Sequence, residues 1–324
     1  MQNILQEYGP TLPMDQMIVQ INQIHHSFEA ESYDQRHPEV HEQLPPIWCK
    51  MLDFVSSHSS NKTWQILNYG CGTGFEASQV IKHFGEKIEC LTCYDPSKEM
   101  LGCCQNKISE HCTNPVYFSD WEDVKGQASV PFDLIITNSL LHHLPDPIET
   151  FRTLSDMTTS DSFWCMGHEP SKRFYLNQAC MKTYSDYRHS RRLKQLLSPA
   201  EVLRKVKDVF DLDKHSLAAK TAQQAYTLGL FQKCPPKSLM GRIVDYHVAH
   251  SLNEAESGRG FCFQEMETAF VGAWKLGWRT SYSYMGPFYE GALPRKWKTQ
   301  CELNAGAFSD DGANFAVVWQ KGKR

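Results

Sequence analysis

A glycine-rich turn between an apolar segment and an amphipathic one is the feature that most constrains this chain. The stretch Ile66–Gly74 reads Ile-Leu-Asn-Tyr-Gly-Cys-Gly-Thr-Gly, and residues 75–84 follow it with helical spacing. Glycine permits a sharp turn in which the backbone approaches a ligand. The start of the next helix offers unpaired N–H groups to an anionic group. The stretch therefore predicts a strand–turn–helix unit that binds a ligand.

The spacing of the glycines distinguishes this turn from a dinucleotide-binding one. The dinucleotide fingerprint, G-x-G-x-x-G, would require a third glycine at position 75. That position is Phe75, and the third glycine is Gly74. The pattern G-x-G-x-G after a strand resembles motif I of the class I S-adenosylmethionine (SAM) methyltransferases.

Composition favours a soluble protein with a small-molecule partner. The 324 residues are 41% hydrophobic and 22% charged, as is typical of globular domains. A net charge of −4 argues against nucleic acid or an anionic membrane as the main partner. The sequence contains neither an uninterrupted apolar stretch of membrane-spanning length nor the pattern of a signal peptide. We therefore expect a cytoplasmic protein.

Twelve cysteines without a secretion signal indicate reduced thiols rather than disulfides. Five of them lie between positions 90 and 112, beside His111, so a zinc site is an alternative. Cys90 and Cys93 fall in a predicted strand, where an odd offset places them on opposite faces. Small buried side chains are the favoured interpretation, and no metal site is predicted.

From position 64 onward, apolar strand segments alternate with amphipathic helices. This alternation predicts an α/β fold with a doubly wound, mostly parallel sheet. The predicted strands are Gln65–Tyr69, Ile88–Tyr94, Val116–Ser119, Phe132–Thr137, Phe163–Gly167, Trp278–Tyr284 and Phe315–Trp319, with a helix over Phe263–Leu276. The predicted divisions are an N-terminal helical cap (1–60), a SAM-binding Rossmann-like core (61–170), a helical insertion after the fifth strand (171–260) and a C-terminal part that completes the sheet (261–324).

The resemblance to the SAM methyltransferases extends to the ends of the later strands. In that superfamily an acidic residue after the second strand holds the ribose hydroxyls of SAM, and Asp95 matches it. A carboxylate suits this role because it accepts from two neighbouring hydroxyls. The resemblance implies that the following residues bind SAM: Tyr33, Asn68, Gly70, Cys71, Gly72, Gly74, Asp95, Pro96, Asp120, Trp121, Asn138 and Ser139. Capping of the next helix by Asp95, and packing by Trp121, are the structural alternatives.

Position 68 departs from the superfamily pattern. The superfamily usually has Asp or Glu where this chain has Asn68, and that acid supports the ammonium group of SAM. An amide lacks the charge, so its presence would lower the pKa of the SAM amine. One interpretation is neutral drift. The other is that the amine is meant to react.

Four residues that follow the fourth and fifth strands are candidate catalytic residues: Asn138, His142, His168 and Tyr175. Ligands of parallel sheets bind beyond the carboxyl ends of the strands, where these residues are expected. His168 or Tyr175 is a candidate base or hydroxyl anchor, with packing or capping as the structural alternative. The insertion 171–260 is predicted to form a lid over the methyl-bearing face of the site.

Three functions fit these features. The first is methyl transfer from SAM to a small molecule. The alternative is a SAM-consuming cyclase that resembles the azetidine-2-carboxylate-forming enzymes. There the SAM amine would attack its own Cγ and release methylthioadenosine, with Asn138 and Tyr175 positioning or deprotonating the amine. The third is a SAM-binding protein without catalysis. The sequence names neither the methyl acceptor nor the oligomeric state.

Overall fold

A computed structural model of the chain shows a seven-stranded sheet between layers of helices. It describes residues 5–112, 114–127, 131–196, 216–245, 260–262, 266–267, 273–287 and 289–322. The strands are β1 Trp64–Tyr69, β2 Ile88–Tyr94, β3 Pro115–Phe118, β4 Phe132–Asn138, β5 Thr158–Pro170, β6 Trp274–Tyr282 and β7 Asn314–Lys321. Within those residues, no helix has both the length and the apolar character needed to cross a membrane.

The strand order is β3-β2-β1-β4-β5-β7-β6. Strands β1 to β5 pair in parallel, whereas β7 runs antiparallel to both β5 and β6. Ile66 and Leu67 are neighbours in β1, are fully buried, and belong to hydrophobic clusters on opposite faces of the sheet. A strand buried on both faces must be apolar throughout, which explains the continuous hydrophobic run. The predicted α/β fold class is confirmed.

Helices connect the strands and extend the fold at its N-terminal end. The α-helices that the structure describes are α1 Met14–Glu29, α2 Tyr33–Arg36, α3 Pro38–Glu42, α4 Pro45–His58, α5 Phe75–Phe84, α6 Lys98–Ile108, α7 Trp121–Gln127, α8 Pro147–Asp156, α9 Lys172–Leu176, α10 Gln178–Leu196, α11 Leu217–Thr227, α12 Lys237–Val244 and α13 Arg295–Ala307. Helices α4, α5 and α6 cover one face of the sheet, and α7 and α8 cover the other.

A third hydrophobic cluster joins the N-terminal helix to the insertion. Ile18 and Ile21 of α1 are fully buried against α11 and α12, with Met240 and Ile243 on the opposing side. The helical character predicted for 171–260 is therefore confirmed where the chain is described. Ser198, a residue type typical of a helix N-cap, lies in the insertion but outside the described residues.

One predicted element is wrong at its C-terminal end. The helix was expected over Phe263–Leu276, but Trp274–Leu276 lie in β6 and most of the preceding residues are outside the described part. Trp274 and Leu276 pack on the same side of the sheet, as strand residues two apart should. A register shift at Gly277 then turns Trp278 to the other side. The apolar residues Trp274 and Leu276 fit the spacing of a helix as well as the alternation of a strand, so the sequence pattern did not distinguish the two.

Candidate active site

A cavity opens at the carboxyl ends of β1, β2 and β4, beneath helices α1 and α2. Its empty space is about 880 Å³, counting the part that opens to solvent. Eight of the predicted SAM-binding residues line it: Tyr33, Gly70, Cys71, Gly72, Asp95, Pro96, Asn138 and Ser139. Strand ends far apart in sequence therefore meet at one site, as the parallel sheet requires.

The predicted glycine turn has left-handed backbone angles at its three glycines. The φ angles of Gly70, Gly72 and Gly74 are +75°, +49° and +85°. The N–H groups of Gly70 and Cys71 donate to the Tyr94 carbonyl at 2.8 and 2.9 Å, which fixes the turn to β2. Gly74 lies behind the cavity wall, at the start of α5, where an added Cβ would contact Cys104.

We expect Gly70→Ala to lower the free energy of unfolding by about 1–3 kcal/mol. Alanine disfavours a φ of +75°, and its Cβ would lie 2.7 Å from a side-chain carbon of Leu140. Gly102→Ala is the control, since Gly102 lies inside α6 with open space around it. There alanine should stabilise by roughly 0.5–1 kcal/mol. Urea unfolding measures both, and equal shifts would contradict the strained turn.

Asp95 fastens the glycine turn to the loop after β2. Its two carboxylate oxygens accept from the N–H groups of Gly72 and Ser97, each at 2.9 Å. Burial raises the pKa of this carboxyl group. The capping alternative applies to Ser97 instead, whose hydroxyl accepts from the Met100 N–H at 3.2 Å at the start of α6. Asp95 faces the cavity with lone pairs that remain available to ligand hydroxyls.

Asn138 and Ser139 form the cavity wall at the end of β4. The Asn138 Oδ1 accepts from the Trp48 indole N–H at 3.2 Å, which fixes the amide orientation. Ser139 has a φ of +54°, and its N–H donates to the Gly167 carbonyl at 2.8 Å. A side chain at Gly167 would collide with both Asn138 and Trp48, so this corner is closely packed.

Glu169 holds the loop that follows Ser139. It is fully buried and accepts from the N–H groups of Leu140 and Leu141 at 2.8 and 2.9 Å. Its other oxygen pairs with the His142 Nδ1 at 3.0 Å. Burial raises the pKa of Glu169 to about 7. The candidate His142 therefore points to Glu169 and is absent from the cavity lining.

His143, the next residue, lines the cavity in its place. Its Nδ1 lies 2.7 Å from the Val244 carbonyl, so Nδ1 must carry the proton and donate. The Nε2 atom then keeps its lone pair. Burial, reinforced by the neighbouring histidines, lowers the pKa of His143 well below its ordinary value. A neutral imidazole with a lone pair on Nε2 can accept a proton, although the lowered pKa makes His143 a weaker base than an ordinary histidine.

The N-terminal helices cover the cavity. Tyr33 lines it, and neighbouring Asp34 accepts from the Thr73 hydroxyl and pairs with Lys107, both at 2.7 Å. The Gln23 side chain donates to the Pro96 carbonyl at 2.9 Å. Described residues of 171–260 do not line the cavity; α11 and α12 instead support α1 from behind. The predicted lid role of the insertion stays a prediction.

Besides Asn68, Gly74 and His142, four predicted site residues do not line this cavity. Asp120 is exposed and accepts from the Glu122 N–H, while Trp121 packs edge-on against Tyr69, with ring centroids 4.8 Å apart. The His168 Nδ1 pairs with the Tyr282 hydroxyl at 3.1 Å, and burial lowers its pKa to about 4. Tyr175 is buried in a cluster with Phe174, Cys180 and Ala313.

Asn68 lies directly beneath the glycine turn. It is fully buried, and neither its Oδ1 nor its Nδ2 has a hydrogen-bond partner. Orphaned buried amide atoms are costly, so their presence beside a cavity fits a polar ligand group nearby. Glu76, in the first turn of α5, also lines the cavity and was not among the predicted residues.

Three buried cysteines meet under the same turn. The sulfur atoms of Cys71, Cys93 and Cys104 all lie within 4.8 Å of one another. The cysteines that meet in space therefore differ from the group that is close in sequence. They come from the glycine turn (Cys71), β2 (Cys93) and α6 (Cys104). Cys90 is only half-buried, whereas Cys93 is buried, which agrees with the opposite strand faces expected for the pair.

Comparisons with known proteins relate part of this chain to methyltransferases. Residues 67–163 match the family described as "Methyltransferase domain". A malonyl-[acyl-carrier protein] O-methyltransferase of Halalkalibacterium halodurans is 26% identical over 132 residues, 40% of this chain and 48% of that protein. The matched region thus spans about half of that relative's length.

Two solved structures are also similar to the chain. The plantazolicin methyltransferase BpumL in complex with SAH is 13% identical, with a TM-score of 0.47 over 95% of this chain and 97% of that one. A SAM-dependent methyltransferase from Aquifex aeolicus is 18% identical, with a TM-score of 0.31 over 38% of this chain and 64% of that one. The part of the chain that matches the methyltransferase domain includes the glycine turn, Asp95 and Asn138, and SAM is the cofactor of such a domain.

Proposed function

We propose that this protein is a methyltransferase that transfers the methyl group of SAM to a small molecule. One observation carries the proposal: the glycine turn, Asp95 and the Asn138–Ser139 corner line the same cavity as a neutral histidine. The first three fit the cofactor, and the last fits an acceptor that must lose a proton. SAM supplies an electrophilic methyl group that needs only an aligned nucleophile.

The cavity residues divide the work. Asp95 would hold the ribose hydroxyls, and the N–H groups of the glycine turn would border the amino-acid part of SAM. Tyr33 would close over the cofactor from α2. His143 faces the remaining space together with His26, and their ring centroids lie 5.0 Å apart. His143 Nε2 would take the proton of an alcohol, phenol or ammonium nucleophile.

The acceptor class decides whether a base is needed. The H. halodurans relative is named for malonyl-[acyl-carrier protein] as its methyl acceptor. A carboxylate acceptor is already ionised at neutral pH and needs no base, whereas a phenol or alcohol does. Substitution of His143 therefore reports the acceptor class as well as the role of the residue.

The cyclase is the second candidate, and Asn68 is the observation that favours it. With no carboxylate at that position, the pKa of the SAM amine would fall and the amine would become nucleophilic. Asn138 faces the cavity, as a positioning role would require, but Tyr175 does not line it.

Incubation with SAM alone, followed by mass spectrometry, separates the two reactions. Methyl transfer predicts that SAM stays intact without an acceptor and yields S-adenosylhomocysteine (SAH) when a phenol, alcohol, carboxylate or amine acceptor is supplied. Formation of methylthioadenosine and a cyclic amino acid without an acceptor would establish cyclisation instead.

A further inference from the structure

Glu76 is a buried carboxyl group that lines the cavity and has no cation beside it among the described residues. It is the second residue of α5 and is 5% exposed. Among the described residues, no Lys, Arg or His nitrogen lies within 4.0 Å of its carboxylate. Burial raises its pKa to about 8. An unpaired carboxyl group in such a place is destabilising, so a ligand that supplies positive charge would explain it.

Asn68 is a neighbour of Glu76 and occupies the position where the superfamily usually has Asp or Glu. The Asn68 amide favours the ionised form of Glu76, although neither of its polar atoms makes a hydrogen bond of ordinary geometry. Glu76 lines the cavity, and Asn68 lies next to Glu76 behind the lining residues with an amide oxygen that has no hydrogen-bond partner. An ammonium group carries three N–H donors and no acceptor, which matches this pair.

The charged groups around Glu76 do not supply a positive charge in direct contact with its carboxylate. Lys107 lowers the pKa of Glu76 from a distance but pairs directly with Asp34 at 2.7 Å and donates to Thr73 at 3.3 Å. Cys104, beneath the turn, has the opposite effect on Glu76, and Tyr33 faces it from α2 without a positive charge.

We propose that Glu76 binds the α-ammonium group of SAM and supplies from α5 the negative charge that Asn68 lacks at the end of β1. The inference rests on the proposed use of SAM. Helix α5 suits the role because its N-terminus stabilises a carboxylate in the first turn. A carboxylate on the ammonium keeps the amine protonated and therefore non-nucleophilic, which favours methyl transfer over cyclisation.

The test compares two ligands that differ at the ammonium end. SAH carries the amino-acid part, whereas methylthioadenosine carries the same adenosine without it. Calorimetric dissociation constants of both ligands are measured at pH 8.5 for the wild type, Glu76→Gln and the control Glu149→Gln. Glu149 occupies the first turn of α8 and is exposed. Glu76→Gln should weaken SAH binding by roughly 10- to 100-fold and change methylthioadenosine binding less than about twofold. Glu149→Gln should change neither.

Two results would overturn the proposal: an unchanged SAH affinity, or an equal loss for both ligands, which would indicate a structural effect. A wild type that binds neither ligand would instead refute the use of SAM. The variant Asn68→Asp in the Glu76→Gln background returns the charge to β1 and should recover at least about fivefold of the lost SAH affinity. Absence of recovery would also count against the proposal.

Acid should weaken SAH binding in the wild type. Below a pKa of about 8, Glu76 takes up a proton and loses its attraction for the ammonium. SAH affinity should therefore fall from pH 8.5 to pH 6, while methylthioadenosine affinity stays level. The same raised pKa predicts that the ionised Glu76 destabilises the ligand-free fold, so its contribution to stability decreases as the pH rises from 4.5 to about 8. Glu76→Gln should flatten both profiles, and steep profiles in the variant would contradict the assignment.

Discussion

Asp95→Asn is expected to weaken binding of SAH and of methylthioadenosine alike, by roughly 10- to 100-fold each. Both ligands carry the ribose, so a residue that holds the ribose hydroxyls must affect both. The amide also introduces N–H donors where Asp95 now accepts from Gly72 and Ser97 at 2.9 Å. The glycine turn would therefore lose one of its fastenings. Isothermal titration calorimetry measures the two dissociation constants.

Asp146→Asn is the matched control for this variant. Asp146 is exposed and also accepts from a backbone N–H, that of Glu149 at 3.0 Å, at the start of α8. It should change helix stability by about 1 kcal/mol or less without affecting either ligand. If Asp95→Asn left both affinities unchanged, Asp95 would be a structural residue only.

His143→Gln is expected to lower kcat by roughly 10²- to 10⁴-fold for a phenol or alcohol acceptor. The variant removes the lone pair of Nε2, while SAH affinity should stay within about threefold. Since the pKa of His143 lies well below its ordinary value, the wild-type base is neutral at pH 7. The rate should therefore hold level as the pH falls from 8 to 6.5, and decline only at lower pH.

The control for the histidine is His58→Gln, which replaces an exposed imidazole at the end of α4. It should leave kcat unchanged. If wild type and His143→Gln methylate a carboxylate acceptor equally well, His143 is needed as a base only for acceptors that must lose a proton. An undiminished rate with a phenol or alcohol would remove His143 from the mechanism.

The sequence predicted those parts of the site that local signals specify. The glycine turn follows a strand and opens a helix, so its position needed only the spacing of Gly70, Gly72 and Gly74. Asp95 and Asn138 follow apolar strands directly, and parallel strands bring their carboxyl ends to one edge. Gly70, Gly72, Asp95 and Asn138 all line the cavity, whereas Gly74 does not.

The remaining site depends on long-range contacts that spacing does not encode. His142 and His143 are adjacent; the buried Glu169 holds the first ring away from the cavity, and the Val244 carbonyl holds the second at its edge. Tyr175 is directed into another cluster by the packing of α9. The position of Glu76 in the first helical turn after the glycines could have suggested that it lies near the ligand. The cavity that it lines is completed by the N-terminal helices, which are distant in sequence.

The strand boundaries show the same division. The predicted strands in the parallel core agree closely with β1 to β4, which are mostly apolar runs bounded by turn residues. Strand β5 begins five residues earlier than predicted, because its polar start, residues 158–162, carries no apolar signal. At Trp274 the apolar residues permitted both a helix and a strand. These residues form a strand because they pair with β7, Trp274 with Lys321 and Leu276 with Trp319, which are distant in the chain.

The most direct test of the account follows the fate of SAM itself. Purified protein is incubated with SAM carrying a deuterated methyl group, once alone and once with a mixture of phenol, alcohol, carboxylate and amine acceptors, and the products are identified by mass spectrometry. Methyl transfer predicts intact SAM in the first reaction, and SAH together with a deuteromethylated acceptor in the second. Methylthioadenosine and a cyclic amino acid formed from SAM alone would contradict it.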